Sequence, residues 1–441
     1  MKYFVITYGC QLNQSDSERI ISVLETAGYQ SAPTMSGADL IVINMCSIRQ
    51  SAVDRVYGKI QDFIKLKNKN PNIKTLLSGC ILKKDLKKFK QQFDFILPIK
   101  TLKKWPAILN KETYFYYPNP RENQFNKQFS TNYFFVQTKP LNDFSIQVPI
   151  SSGCNNFCTY CVVPYVRGSL ICRSHKEILK EIRGFIKKGF KEIWLLGQNV
   201  NDYTSPFDKT INFPKLLKMV NGIPGRFWIR FTSPHPKNFS KELIDIMASC
   251  KKITPYLNLP VQSGDNKILK KMNRPYTVEK YKRLVKRIRK KIPNICLSTD
   301  VIVGFPGETK KQFENTVKLF KEIKYGMAYI SIYSSRTETA AFKFKHVIPH
   351  HEKQRRHKRL TEILKQTALE NNKKYIGKTA DVLMTKSKNG FLIGKTDTYK
   401  TVRFQVSSFK FQDLIGKFVK VKIIDAFPWG LKGVYMELVC T

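Results

Sequence analysis

The stretch SIQVPISSGCNNFCTYC, residues 145–161, decides the fold. A strand-like apolar run leads directly into a loop that places Cys154, Cys158 and Cys161 within eight positions. Zinc sites usually close with four ligands, often from paired CxxC hairpins. This loop offers three and no histidine, and the nearest further cysteine is Cys172. Thiolates also hold iron–sulfur clusters, and a cubane bound by protein at every iron takes four of them. Three thiolates leave one iron open to a small molecule, much as catalytic zinc keeps a free position.

Outward from this loop the same strand-then-loop unit repeats. SIQVPIS precedes Cys154, EIWLLG precedes Gln198, RFWIRFT precedes Ser233, YLNLPV precedes Gln262, ICLSTDVIV precedes Gly304 and MAYISIY precedes Ser334. Helical patterns such as 174–188 and 278–291 separate them. Six β/α units are two short of a closed barrel. Residues 145–370 are therefore expected to form a partial (β/α)6 barrel with a trailing basic helix. Its polar residues fall at the C-terminal strand ends, where barrel enzymes keep their chemistry.

Residues 1–100 read as a separate α/β domain. KYFVIT (2–7), ADLIVIN (38–44) and IKTLLSG (73–79) are strands. A helix is expected from Ser15 to Ala27, with Ser15 as N-cap and Glu18 three residues on, and a second from about Gln50 to Lys67. Such alternation implies a parallel sheet. Cys10, Cys46 and Cys80 each come just past a strand, at the edge where open α/β sheets bind ligands. Residues 101–144, with YYPNPRENQFNKQFSTN, read as a linker. Residues 376–441 carry short β-rich runs (ADVLMTK, FLIGKT, TVRFQV, FVKVKIID) and are expected to form a small β-barrel of OB-like size, a common nucleic-acid platform.

The chain has 441 residues, 42% hydrophobic, enough for several packed cores. Lys and Arg number 77 against 33 Asp and Glu, a formal charge of +44. A lysine-rich composition accounts for part of that excess, and the rest points to a polyphosphate partner. No apolar run reaches the length of a membrane span. MKYFVITYGCQLN lacks a secretory core. Ten cysteines without an export signal imply a reducing, cytoplasmic setting, where metal binding or catalysis is favoured over disulfides.

Cys154-x3-Cys158-x2-Cys161, with Tyr160 before the last cysteine, resembles the signature of radical S-adenosylmethionine (SAM) enzymes. The wider stretch SSGCNNFCTYCVVPYVRG resembles their methylthiotransferase family. So do YGCQLNQSDSERI, NMCSIRQSAVDRVYGKI, GQNVNDY, RFTSPHP, LPVQSGDNKILKKMNRPYT and STDVIVGFPGET, in that order along residues 1 to about 335. The last 66 residues are similar to a TRAM domain, the RNA-binding barrel of these enzymes.

The resemblance implies two [4Fe–4S] clusters. Cys154, Cys158 and Cys161 would hold the one that binds SAM, and Cys10, Cys46 and Cys80 an auxiliary one that takes the sulfur to be transferred. Tyr160 would lie near the adenine of SAM, and Gln198 and the turn from Gly304 to Glu308 would contribute further contacts. SAM would serve as methyl donor and radical source. The implied reaction is methylthiolation at C2 of N6-isopentenyladenosine at position 37 of the tRNA anticodon loop. Its partners would be the tRNA anticodon stem-loop and an external electron donor, and the chain would act as a monomer.

Relatives in the family modify N6-threonylcarbamoyladenosine in tRNA or an aspartate of a ribosomal protein. FTSPHP and GQNVN favour the isopentenyladenosine branch. A non-catalytic RNA-binding protein with a structural metal is the reading from another class. The chain departs from the family pattern at Asn258, where histidine is usual, at SLICRS (169–174), which brings in Cys172, and at YSSRTETAA (333–341).

Overall fold

The structure, a computed structural model, describes residues 1–48, 50–109, 133–405 and 413–436, and the backbone alone of 114–115. The stretch 116–132 of the expected linker and Cys440 lie outside the described residues.

LIVINMC carries no charge over seven residues, and all seven are buried, as a strand covered on both faces requires. It forms the third strand of a parallel sheet. The strands are β1 (Lys2–Tyr8), β2 (Gln30–Ser31), β3 (Leu40–Cys46), β4 (Lys74–Cys80), β5 (Phe95–Ile96) and β6 (Tyr114–Phe115), ordered β2-β1-β3-β4-β5-β6. Cys46 and Cys80 close their strands side by side, in register. Residues from both ends of the expected linker 101–144, including Leu102, Trp105, Tyr133, Phe134 and Val136, pack into this domain's core.

The first helix runs Gln11–Thr26 and not from Ser15. Its N-cap is Cys10, whose backbone N–H donates to Asn13 Oδ1 at 3.3 Å. Ser15 is fully buried and donates to the Gln147 carbonyl at 3.1 Å. The Ser-x-x-Glu pattern is real, but a junction between domains has taken both side chains.

The central domain follows the expected strands: β7 (Ser145–Pro149), a short β8 (Ser151–Ser152) and β9 (Ile171–Cys172), then β10 (Glu192–Leu196), β11 (Trp228–Phe231), β12 (Tyr256–Asn258), β13 (Cys296–Val303) and β14 (Met327–Ile332). β7, β10 and β11 form one parallel sheet, and β12, β13 and β14 another. A parallel bridge between Ile229 and Ile253 joins them into an open six-stranded arc. Amphipathic helices such as His175–Lys187 and Val278–Lys291 cover its outside. The basic run becomes the helix His350–Lys373, whose inner face buries Leu360, Ile363, Leu364 and Ala368.

The C-terminal part is a closed barrel of β15 (Thr379–Lys388), β16 (Phe391–Thr396), β17 (Thr401–Gln405), β18 (Phe418–Phe427) and β19 (Gly430–Tyr435). β19 was absent from the expected strands because two glycines interrupt GLKGVY. The turn between β16 and β17 inserts under the central domain. Buried Arg230 donates to the Asp397 carbonyl at 2.7 Å and the Thr396 carbonyl at 2.8 Å. The Tyr399 ring lies 5.1 Å from Trp194 and 4.9 Å from Tyr256. Glu192, the first residue of β10, accepts from Arg230 Nε at 2.6 Å. This turn thus closes the N-terminal end of the arc, opposite the cysteine loop.

Candidate functional site

The loop after β8 begins at Gly153, whose φ is +81°. A Cβ there would fall 2.1 Å from the Ser169 carbonyl oxygen, so glycine lets the two stretches touch. Cys154 N–H donates to the Gly168 carbonyl at 3.2 Å. The other side of the loop is held from 271–274. Thr159 donates its hydroxyl to the Lys271 carbonyl at 2.8 Å, and Asn273 Nδ2 donates to the carbonyls of Asn156 and Phe157. Asn156 Nδ2 and Arg274 Nη1 point at the sulfurs of Cys154 and Cys158, each at 3.6 Å. Burial pushes the Cys161 thiol up to about 12 and that of Cys154 up as well, and the neighbouring thiolates add to both. The three thiols therefore stand close enough to oppose each other's ionisation, and a bound cation would reverse that.

Buried polar atoms without partners among the described residues gather past the C-terminal ends of the same strands: Ser151 Oγ, Gln198 Oε1, Asn199 Oδ1, His235 Nε2 and Gln262 Oε1. Such groups are rare in folded proteins and call for a ligand or water. His235 is 5% exposed, and burial pushes its pKa down to about 3. Its Nδ1 accepts the Lys237 N–H at 3.1 Å, so Nε2 carries the proton and is free to donate. This polar ring beside three cysteines suits a polar cofactor such as SAM.

Tyr160 lies beside Ile268, Met272, Phe305 and Tyr333. Phe305 belongs to the Gly304–Glu308 turn, so these expected site residues converge. The turn is braced from within. Glu308, 1% exposed, accepts from Gly304 N–H at 2.8 Å and from Arg356 Nη1 at 2.7 Å through one oxygen. At Gly304 it is the Lys353 stem that comes close.

The second triplet stands at the edge of the N-terminal sheet. Cys46 and Cys80 are cross-strand partners whose thiols perturb each other, and Cys10 is near enough to feel their charge. The neighbouring Cys46 thiol, with the Arg167 guanidinium, holds Cys80 below the usual thiol range, while Cys46 itself is held above it by Cys80 and by burial. A thiolate is the form that binds iron. Arg167 Nε donates to Cys80 Sγ at 3.0 Å, and its Nη2 to Asp16 Oδ2 at 2.5 Å. Sequence reasoning missed Arg167, Arg274 and His235 as parts of the site, although VRG, NRP and SPHP were among the quoted motifs.

Among the described residues, no group of three or more His, Cys, Asp or Glu closes tightly enough around a point to hold a single metal ion. Tetrahedral zinc needs sulfurs about 3.8 Å apart, as a Zn–S bond of about 2.3 Å dictates. Cluster thiolates bind different irons, so they need not converge on one point. In donor chemistry and number both triplets fit a three-thiolate cluster. Cys172 lies beside Asp202 and Thr204, Cys250 caps the helix Lys241–Ser249, and Cys296 begins β13.

Residues 148–320 match the Radical SAM superfamily, residues 2–98 the uncharacterized protein family UPF0004, and residues 373–435 the TRAM domain. The fold is similar to that of the radical S-adenosylmethionine methyltransferase TsrM from Kitasatospora setae, with TM-score 0.56 and 13% identity over 77% of this chain and 75% of that one. It is also similar to the cobalamin-dependent enzyme OxsB, with TM-score 0.50 and 12% identity over 82% of this chain and 56% of that one. Fold and motif together define a radical SAM enzyme, which uses SAM and a [4Fe–4S] cluster. Among curated relatives, the tRNA-2-methylthio-N(6)-dimethylallyladenosine synthase of Clostridium botulinum strain Hall is 40% identical over 98% of this chain and 96% of its own. That of Carboxydothermus hydrogenoformans is 40% identical over 98% of both. The chain belongs to their family, the radical SAM methylthiotransferases.

Proposed function

We propose that this protein methylthiolates C2 of N6-isopentenyladenosine at position 37 of the tRNA anticodon loop, using two [4Fe–4S] clusters. Cys154, Cys158 and Cys161 hold one, and Cys10, Cys46 and Cys80 the other. The observation that carries this reading is the pair of three-cysteine edges, one per domain, joined by the Arg167–Cys80 hydrogen bond.

When bound, SAM and the reduced clusters supply the radical that activates an unreactive C–H bond, together with the sulfur and methyl group that replace the hydrogen. The chain's residues position and protect. Asn156 and Arg274 direct N–H groups at thiolate sulfurs, which sets a cluster's charge and potential. His235 Nε2–H and the amide oxygens of Gln198, Asn199 and Gln262 offer donor and acceptors to SAM or to the base. The Glu308–Arg356 pair fixes the turn whose Phe305 belongs to the buried cluster that Tyr160 packs against, and an adenine would lie along Tyr160. The target base leaves the anticodon stack to reach the mouth, as base-modifying chemistry requires. Electrons come from an external donor.

Mass spectrometry of tRNA nucleosides from cells with and without the gene tests the substrate. The expected result is loss of the 2-methylthio derivative with accumulation of N6-isopentenyladenosine. An unchanged nucleoside profile, or loss confined to methylthiolated threonylcarbamoyladenosine, would contradict it. In vitro, Cys158→Ala should abolish 5′-deoxyadenosine formation from SAM.

A further inference from the structure

Arg167 stands only six residues after Cys161, at the end of the short helix Val163–Val166. Its side chain nonetheless leaves the central domain. It is 5% exposed and reaches the edge of the N-terminal sheet, where Nε donates to Cys80 Sγ at 3.0 Å. Its Nη2 donates to Asp16 Oδ2 at 2.5 Å, and Asp16 Oδ1 accepts the Tyr133 hydroxyl at 2.5 Å. Asp16 is fully buried, so the guanidinium is fixed from behind. Lys100, next to Gly168, adds a second cation nearby. Cys80 thus receives a charge-assisted hydrogen bond from a residue of the other domain.

We propose that Arg167 is a positioning residue that raises the reduction potential of the cluster held by Cys10, Cys46 and Cys80, by donating Nε–H to the Cys80 sulfur. This rests on the two-cluster reading above. Reduction adds one electron and hence negative charge to the cluster. A hydrogen bond to a ligand sulfur and a nearby positive charge favour that state. Asp16 opposes part of the charge but none of the hydrogen bond. Because Arg167 lies on the segment that carries Cys161, the effect also depends on the two domains staying docked.

The test is a redox titration of reconstituted full-length protein with a chemical reductant, followed by electron paramagnetic resonance. Wild type, Arg167→Met and Arg167→Gln are compared. We expect both variants to retain two clusters. The potential of the Cys10/Cys46/Cys80 cluster should move to more negative values, further in Met than in Gln, which keeps a donor group. The cluster on Cys154, Cys158 and Cys161 should not move. Two clusters with unmoved potentials in both variants would overturn the proposal. So would loss of the auxiliary cluster from both, which would make Arg167 a purely structural residue. If Met alone loses it, the shift in Gln decides. Wild-type protein with only one cluster would refute the two-cluster reading itself, a result distinct from these.

Discussion

Glu18 shows what docking two domains does to a single side chain. It is 2% exposed, and one oxygen has no partner among the described residues. Burial pushes its pKa up to about 8. Between pH 4.5 and 8 the folded protein holds a proton that the unfolded chain releases, so stability falls as pH rises through that window and levels off above it. Glu18→Gln should flatten this slope and be the more stable form at pH 8, as urea midpoints at pH 5 and pH 8 would show. A steeper slope in the variant would contradict the assignment. At this scale the sequence was legible where spacing carries meaning, as in CxxxCxxC and the cysteines that follow three strands. Arg167, Arg274 and His235 have no such spacing. Each acquires its role only when a distant segment packs against it.

Among elements, the turn between β16 and β17 deserves a different test from the one its domain first suggests. Deleting residues 376–441 would strip Arg230 of two carbonyl acceptors and uncover Trp194 and Tyr256. We expect that truncation to lower the thermal midpoint of the whole protein, which calorimetry would register. Point changes on the outer face are cleaner probes of RNA binding. Trp429 is 48% exposed, and the exposed Arg403 lies over the Phe427 ring at 5.3 Å. Trp429→Ala should weaken tRNA binding roughly tenfold, the scale of one lost base stack. Arg403→Ala should reduce the salt slope of log affinity by roughly one. Unchanged affinity and slope would place the RNA on another surface. Strands were read well from their apolar runs, because a covered parallel strand leaves little choice of residue. The first helix began earlier than its capping pattern indicated, and β19 was hidden by its glycines.

At the scale of the molecule, the N-terminal and C-terminal parts both dock on the central domain. The N-terminal sheet presents Cys10, Cys46 and Cys80 toward the end of the arc that holds Cys154, Cys158 and Cys161, and the C-terminal barrel closes the opposite end. Arg336, in the departing stretch 333–341, donates to Gln50 Oε1 at 2.7 Å, so even that variant loop joins the two cysteine-bearing domains. The order of the parts was legible because each has its own periodicity. Their docking was not, since it depends on single buried charges such as Asp16, Arg19 and Arg230. The most direct measurement is iron and acid-labile sulfide, with Mössbauer spectra, on anaerobically reconstituted wild type and two triple cysteine-to-alanine variants. The account predicts about eight irons in wild type, as two cubanes, and about four after removal of either triplet. About four irons in wild type, or loss of all iron on removing one triplet, would contradict it.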